Sequence, residues 1–373
     1  MAGAIRTLHI NTERTFRGGE RQVLALARGL VERGHAAELV AQPDGELARR
    51  AAEVGIEVHR VKVRHELDPL AVARLCSLLR DGDYEIVHMH TGRAHTLGTA
   101  ASMLAGAGAR IVSRRVVSPA GRNWLGRFKY RHWVDRYIAI SEAVKRVLVE
   151  GGVAPGRVAV VPSCVDVERF QNAADRSAEF CGELGIAERV PVVGSVGALT
   201  PPKGFAHLLE AIPLVRERVP EARFVLVGDG ELRAELEQQA AQLGLGPDAL
   251  TFFGRRDDVP ELLRFFDLFV SSSIAEGLGT AAIQALASGT PAVVTDAGGL
   301  PEVVDDGETG LVVEAGSGRA LADAIVRLLR DAGLRARMAS LGPERARDRF
   351  SPGQMVDGTL AVYREALESR TRR

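Results

Sequence analysis

Cysteine is scarce in this chain: among 373 residues there are three, Cys76, Cys164 and Cys181, with no CxxC pair. That excludes a disulfide framework and leaves no metal-ligand spacing, and it reads as a reduced, cytosolic protein. Neither charge is in excess. The 48 Lys+Arg equal the 48 Asp+Glu, so net charge gives no footprint for nucleic acid. No apolar run approaches the ~20 residues of a membrane span. The opening "MAGAIRTLHINTERTF" lacks the apolar centre of a signal peptide. The expected location is therefore the cytoplasm, with peripheral contact at the inner face of the membrane left open. Low-complexity tracts are absent, and so is the strict G-x-G-x-x-G fingerprint, which argues against a dehydrogenase.

What is present is an alternation. Forty glycines cluster in turns after short apolar runs, a pattern of many tight strand-to-helix connections. In the first half the runs are Ile5–Ile10, Ala37–Ala41, Glu57–Val61, Glu85–His88, Arg110–Ser113, Tyr137–Ile140 and Val158–Val161. Helical stretches lie between them, such as "GERQVLALARGLVERG", with Val23, Leu24, Ala27, Leu30 and Val31 on one face. After an irregular stretch from Pro162, the alternation restarts at "PVVGSVGAL". It continues through Arg223–Val227, Ala249–Phe252, Leu268–Ser271, Ala292–Thr295 and Gly310–Val313. Buried apolar strands alternating with helices predict parallel sheets covered on both faces. The chain thus reads as α/β, with two Rossmann-like doubly wound domains, 1–170 and 171–350, and a final amphipathic helix, 351–373.

In such sheets ligands sit beyond the carboxyl ends of the strands, so the loops there carry the information. Gly18-Gly19 follow the first strand and open a helix, where free N–H groups suit a phosphate; the plain alternative is a tight turn. His88, His90 and His95 lie in "EIVHMHTGRAHTLG". His88 falls within its strand and reads as structural, whereas His90 ends the strand and can donate to a hydroxyl or carry a proton. No further ligands complete a zinc site. The stretch Arg110–Arg136 is basic, with Trp124, Phe128, Tyr130 and Trp133 interleaved. It reads either as a solvated helix face or as a surface for an anionic acceptor or acidic membrane. Arg114 and Arg115, just after a strand, are its best ligand candidates. In the second half, Lys203 stands in a Gly/Pro loop where it can meet a phosphate. Gly228-Asp229-Gly230 and Gly254-Arg255-Arg256 are backbone-exposing turns at the same end of the sheet.

Taken in order, "GGERQVLALARGLVERGH", "VGALTPPKG", "VLVGDGELR", "FFGRRDDVPELL" and "EGLGTAAIQALASGTPAVVTDAGGLPEVVDDGETGLVV" resemble the retaining GT-B glycosyltransferases of family 4, the group 1 transferases. The resemblance covers nearly the whole chain and is most specific from Gly254 to Val313. It implies a GT-B fold with a cleft between the two domains, and a final helix, 351–373, that crosses back to the N-terminal domain. A nucleotide-diphosphate sugar would bind mainly to the second domain, and a glycan, lipid-linked or small-molecule hydroxyl acceptor mainly to the first. It implies no metal and no cofactor, the nucleotide sugar being a substrate. The donor set becomes Gly19, Gly197, Lys203, Gly228, Gly254, Arg255, Glu276, Gly277, Leu278, Gly279, Thr280 and Gln284. The acceptor set is Arg114, Arg115 and His95, and the catalytic residues are Glu276, His90 and Lys203. The amides of Gly277–Thr280 open a helix and would face the diphosphate. Glu276, which phosphates repel, would address sugar hydroxyls.

Three departures from the family pattern stand out. Ala198 occupies the position of a usual arginine, Gln284 that of a usual acid on ribose, and Ser163-Cys164 that of an Asn-Gly pair. Two rivals follow: a nucleotide-sugar epimerase of the same fold, and a degenerate, non-enzymatic nucleotide-sugar-binding protein.

Overall fold

The computed structural model describes residues 3–119, 124–188 and 190–371. It divides into two units: Met1–Cys164 with Pro352–Arg373, and Val165–Ser351. The division falls at Val165 because its amide bonds the carbonyl of Phe350 (2.8 Å), which ties it to the second unit.

Unit 1 holds a seven-stranded parallel sheet: β1 (Arg6–Ile10), β2 (Ala36–Ala41), β3 (Val58–Arg60), β4 (Ile86–Met89), β5 (Ala109–Arg114), β6 (Arg136–Ala139) and β7 (Val158–Val160). Their order is β3-β2-β1-β4-β5-β6-β7. Leu8, Ile10, Leu39, Ile86 and Ile111 are fully enclosed, as strands covered on both faces require. Unit 2 holds a six-stranded parallel sheet: β8 (Val192–Val196), β9 (Arg223–Val227), β10 (Leu250–Gly254), β11 (Leu268–Ser271), β12 (Ala292–Thr295) and β13 (Gly310–Val313), in the order β10-β9-β8-β11-β12-β13. The strand order reverses between β1 and β4 in one sheet and between β8 and β11 in the other. These are the points where an open α/β sheet leaves a crevice for a ligand.

One expected helix face is rotated. In the helix Gly18–Glu32 the buried apolar side chains are Val23, Leu26, Ala27 and Leu30, while Val31 is 47% exposed. The cause lies far along the chain. The helix Pro352–Thr371 packs beside it, so closely that a Cβ on Gly29 would stand 2.5 Å from Val356 Cγ2. Tyr363 of that late helix is fully buried and its hydroxyl meets His88 Nδ1 at 2.6 Å.

Candidate active site

In unit 2 the loops after β8 and β11 flank the reversal point, and their two charged residues meet. Lys203 Nζ donates to Glu276 Oε2. The same oxygen takes Ser273 Oγ at 3.3 Å, and Oε1 takes the amide of Gly277 at 3.2 Å. Backbone closeness holds this arrangement. Gly298, at φ +58°, lies where a Cβ would come within 1.9 Å of the Glu276 carbonyl, and Gly299 N–H bonds that carbonyl at 3.1 Å. Gly228, at φ +139°, likewise abuts the Gly197 carbonyl, and its amide bonds Gly254 O at 2.7 Å. Only a residue without a side chain fits either place. The stem of Lys203 runs about Gly197, whose added Cβ would lie 3.9 Å from Lys203 Cδ and Cε. The loops bearing Gly197, Lys203, Gly228, Gly254, Glu276 and Gly277 are thereby brought together.

The helix Thr280–Ala287 follows Glu276. It starts from Gly279 in the left-handed region, with no side chain capping its first amides. The Ala282 amide is already spent on Gly279 O at 3.0 Å, so the amides of Thr280 and Ala281 are the ones that can meet an anion. Leu278 is 1% exposed and belongs to the core, so only its backbone can serve a ligand. The alanines have a packing reason. Ala282, Ala285 and Ala287 are buried, and the helix Ala332–Phe350 approaches so near that a Cβ on Gly342 would lie 2.9 Å from Leu286 O. Gln284 is half-buried, and among the described residues its side-chain amide has no hydrogen-bond partner. Arg255 is exposed, whereas Arg256 is committed to Glu183 and Asp258 at 2.7–3.2 Å.

In unit 1 the reversal point gathers Gly19, His90 and Arg115. A Cβ on Gly19 would lie 4.0 Å from Arg115 Cδ. Arg115 Nη1 approaches Ser163 Oγ at 3.4 Å, and its buried Nε has no partner. Burial lowers this guanidinium to about 10, against which Cys164 and Glu20 act. Ser163-Cys164 therefore has a local role: Gln22 clamps the Cys164 backbone, donating to its carbonyl (2.8 Å) and accepting from its amide (2.7 Å).

His90 is 6% exposed and belongs to a trio that the sequence does not announce, with His9 and His88. One nitrogen from each ring lies within 4.8 Å of the other two, and the three rings carry six nitrogens in all. Five of the six are hydrogen-bonded: His9 Nε2 to Thr7 Oγ1 (3.0 Å), His9 Nδ1 to His90 Nε2 (3.0 Å), and His88 to Tyr363 (2.6 Å) and Ser113 (2.8 Å). The sixth, His90 Nδ1, is buried and unpartnered. Burial lowers all three imidazoles, His9 to about 3, and neighbouring His and Arg115 charges add to the effect at His88 and His90. Neutral rings result.

The other acceptor candidates are corrected by the geometry. Successive residues at the end of β5 face opposite ways, so Arg114 does not accompany Arg115. Its Nε, Nη1 and Nη2 bond Val116 O, Tyr130 Oη and Ser118, which commits it to its own loop. His95 is 1% exposed and stands edge-on to Tyr130 at 4.8 Å, a core histidine rather than a ligand-facing one. Of the basic stretch, residues 120–123 and the side chains of Trp124, Leu125 and Arg127 lie outside the described residues. Phe128 is exposed and Tyr130 buried, so the aromatics do not form one surface.

Comparison with known proteins agrees with this layout. Residues 16–169 match the family described as Glycosyltransferase Family 4, and residues 177–345 match Glycosyl transferases group 1. A phosphatidyl-myo-inositol mannosyltransferase of Mycobacterium leprae is 30% identical over 94% of each chain. A lipopolysaccharide core biosynthesis glycosyltransferase of Rhizobium meliloti is 38% identical over 46% of this chain and 49% of its own. Among solved structures, Anabaena HepE in complex with UDP superposes with a TM-score of 0.83 at 22% identity, covering 99% of this chain and 100% of that one. A glycosyltransferase from Rickettsia africae reaches 0.86 at 20% identity, covering 98% and 99%. These likenesses establish the GT-B fold. Among the described residues no helix is long and apolar enough to cross a membrane.

Proposed function

Since the chain is a glycosyltransferase of family 4, the group 1 glycosyl transferases, we propose that it takes a sugar from a nucleotide diphosphate with retention of configuration and without a metal. The observation that carries this reading is the Lys203–Glu276 pair at the reversal point of unit 2, beside an uncapped helix start. An ammonium has three N–H groups, so Lys203 can hold Glu276 and a phosphate oxygen together. Of the about four lone-pair sites of a carboxylate, Lys203, Ser273 and the Gly277 amide use three, so Glu276 keeps one, on Oε1, for a sugar hydroxyl. Gln284 would hold the ribose and Arg255 would add positive charge. UDP complexes of HepE support a nucleotide as the leaving group.

In the proposed step the acceptor oxygen attacks the anomeric carbon on the face that the phosphate leaves. The new C–O bond forms as the carbon–phosphate oxygen bond breaks, and the electron pair goes to the phosphate. The acceptor proton passes to that phosphate oxygen. No protein base is needed, and positioning and electrostatics supply the catalysis. The acceptor is assigned to unit 1, at Arg115, with His90 as the catalytic residue beside it, and Gly19 keeps the donor role that the resemblance implies. By its name, the Mycobacterium leprae relative acts on an inositol lipid, which makes lipid-linked acceptors the first to try, at a membrane surface.

The test is a thermal-shift panel of UDP-glucose, UDP-galactose, UDP-N-acetylglucosamine and GDP-mannose, with and without EDTA. One donor should stabilise the protein equally in both, and NMR of the product should show the donor's anomeric configuration. Activity lost in EDTA and restored by magnesium or manganese, or an inverted product, would refute the reading. An epimerised donor formed without acceptor would point to the epimerase rival.

A further inference from the structure

The histidine trio contains a hydrogen-bonded relay whose direction can be worked out. Thr7 Oγ1 lies 3.0 Å from the Ala36 carbonyl, which can only accept. Its single proton is therefore used there, and toward His9 Nε2, also at 3.0 Å, the hydroxyl must accept. His9 then carries its proton on Nε2 and presents a bare Nδ1. His90 Nε2, 3.0 Å from that Nδ1, must donate to it. A neutral imidazole has one N–H, so His90 Nδ1 is left as a lone pair with no partner among the described residues. Thr7 and His9 are both fully enclosed, so water does not compete for these bonds.

We infer that Thr7 and His9 are positioning residues: they fix His90 in the tautomer whose Nδ1 accepts a hydrogen bond from a substrate hydroxyl. This rests on the reading of His90 as substrate-facing. A bare nitrogen suits a hydroxyl that must donate, and the opposite tautomer would turn an N–H toward the same group. Burial, and after it the neighbouring His88, His9 and Arg115, disfavours imidazolium at His90 and so keeps the relay neutral. His88 takes no part, since Tyr363 and Ser113 hold both of its nitrogens.

The experiment uses full-length protein with 15N-labelled histidine, in which long-range 15N–1H spectra distinguish the two tautomers. His90 should carry its proton on Nε2. Thr7→Val keeps the shape but removes the hydroxyl, so His9 is no longer held and the His90 proton should move to Nδ1. Thr7→Ser should restore the original tautomer. With whichever of the four sugar nucleotides above binds, Thr7→Val should lower turnover roughly tenfold, Thr7→Ser should rescue it, and affinity for the free nucleotide should not change. A wild-type His90 protonated on Nδ1 overturns the relay, and that spectrum needs no variant to fold. A folded Thr7→Val that leaves the tautomer in place overturns it too. If the proton moves and turnover does not, while His90→Ala lowers turnover, the relay is structural and the positioning role is lost. If His90→Ala is also silent, it is the substrate-facing reading of His90 that fails, and the positioning role falls with it.

Discussion

Lys203 and Glu276 neutralise each other, so removing either one changes the charge that an arriving diphosphate meets. Lys203→Ala deletes a cation and also leaves a bare carboxylate beside the phosphates. Its cost in donor affinity should exceed the roughly 1.5–3 kcal/mol of one charged hydrogen bond. Adding Glu276→Gln should recover part of that loss. Calorimetry on the four proteins of the cycle should give a coupling of about 0.5–3 kcal/mol for residues in direct contact. Strict additivity would mean that the pair separates before the donor binds. Gln284 behaves differently because its amide is unengaged. Gln284→Ala should raise the donor KM and leave kcat nearly unchanged, while Gln284→Glu should tighten donor binding by restoring a charge-assisted bond to ribose. A fall in kcat with Gln284→Ala would place that amide at the reacting sugar instead.

The element that most repays attention is the contact between the helices Gly18–Glu32 and Pro352–Thr371. With Val356 Cγ2 2.5 Å from where a Cβ would stand, Gly29→Ala should cost about 1–3 kcal/mol by overpacking, and Val356→Ala should offset much of it. Melting curves of the single and double variants check this; an unaffected Gly29→Ala would mean that the helices shift apart freely. The same contact shows what could be read from the chain. All the strands were legible, because buried parallel strands are short apolar runs bounded by glycine turns. So were the loops after β8 and β11, since switch-point loops must expose backbone. The rotation of the first helix was not legible, since its partner lies more than 300 positions away. Neither was His9: a histidine inside an apolar strand looks like a core residue until the register sets it opposite His88. The committed state of Arg114 was hidden for a similar reason, being decided by Tyr130 and Ser118.

On the scale of the whole molecule, the two units differ in how they meet acid. Unit 1 encloses His9, His88, His90 and His95, and burial lowers each of them. Unfolded imidazoles titrate near 6.5, so their contribution to stability is complete above that pH and is lost as pH falls below it. Each ring can remove up to about 1.4 kcal/mol per pH unit in this window. Among the described residues unit 2 has only the partly exposed His207. Between pH 6.5 and 5, protection against hydrogen exchange, relative to the intrinsic rate at each pH, should fall in unit 1 well before unit 2, and simultaneous loss in both would contradict this. The crossing of the final helix has another outcome, in the order of synthesis. Residues 165–351 leave the ribosome as a continuous segment that can close its own core. Unit 1, begun first, must wait for Val356 and Tyr363 before Gly29 and His88 are covered. A nascent chain stalled on a flexible linker placed after Ser351, long enough to bring that residue out of the exit tunnel, should therefore carry a protease-resistant second unit and a first unit that is still open, so that the unit translated earlier is the later to mature.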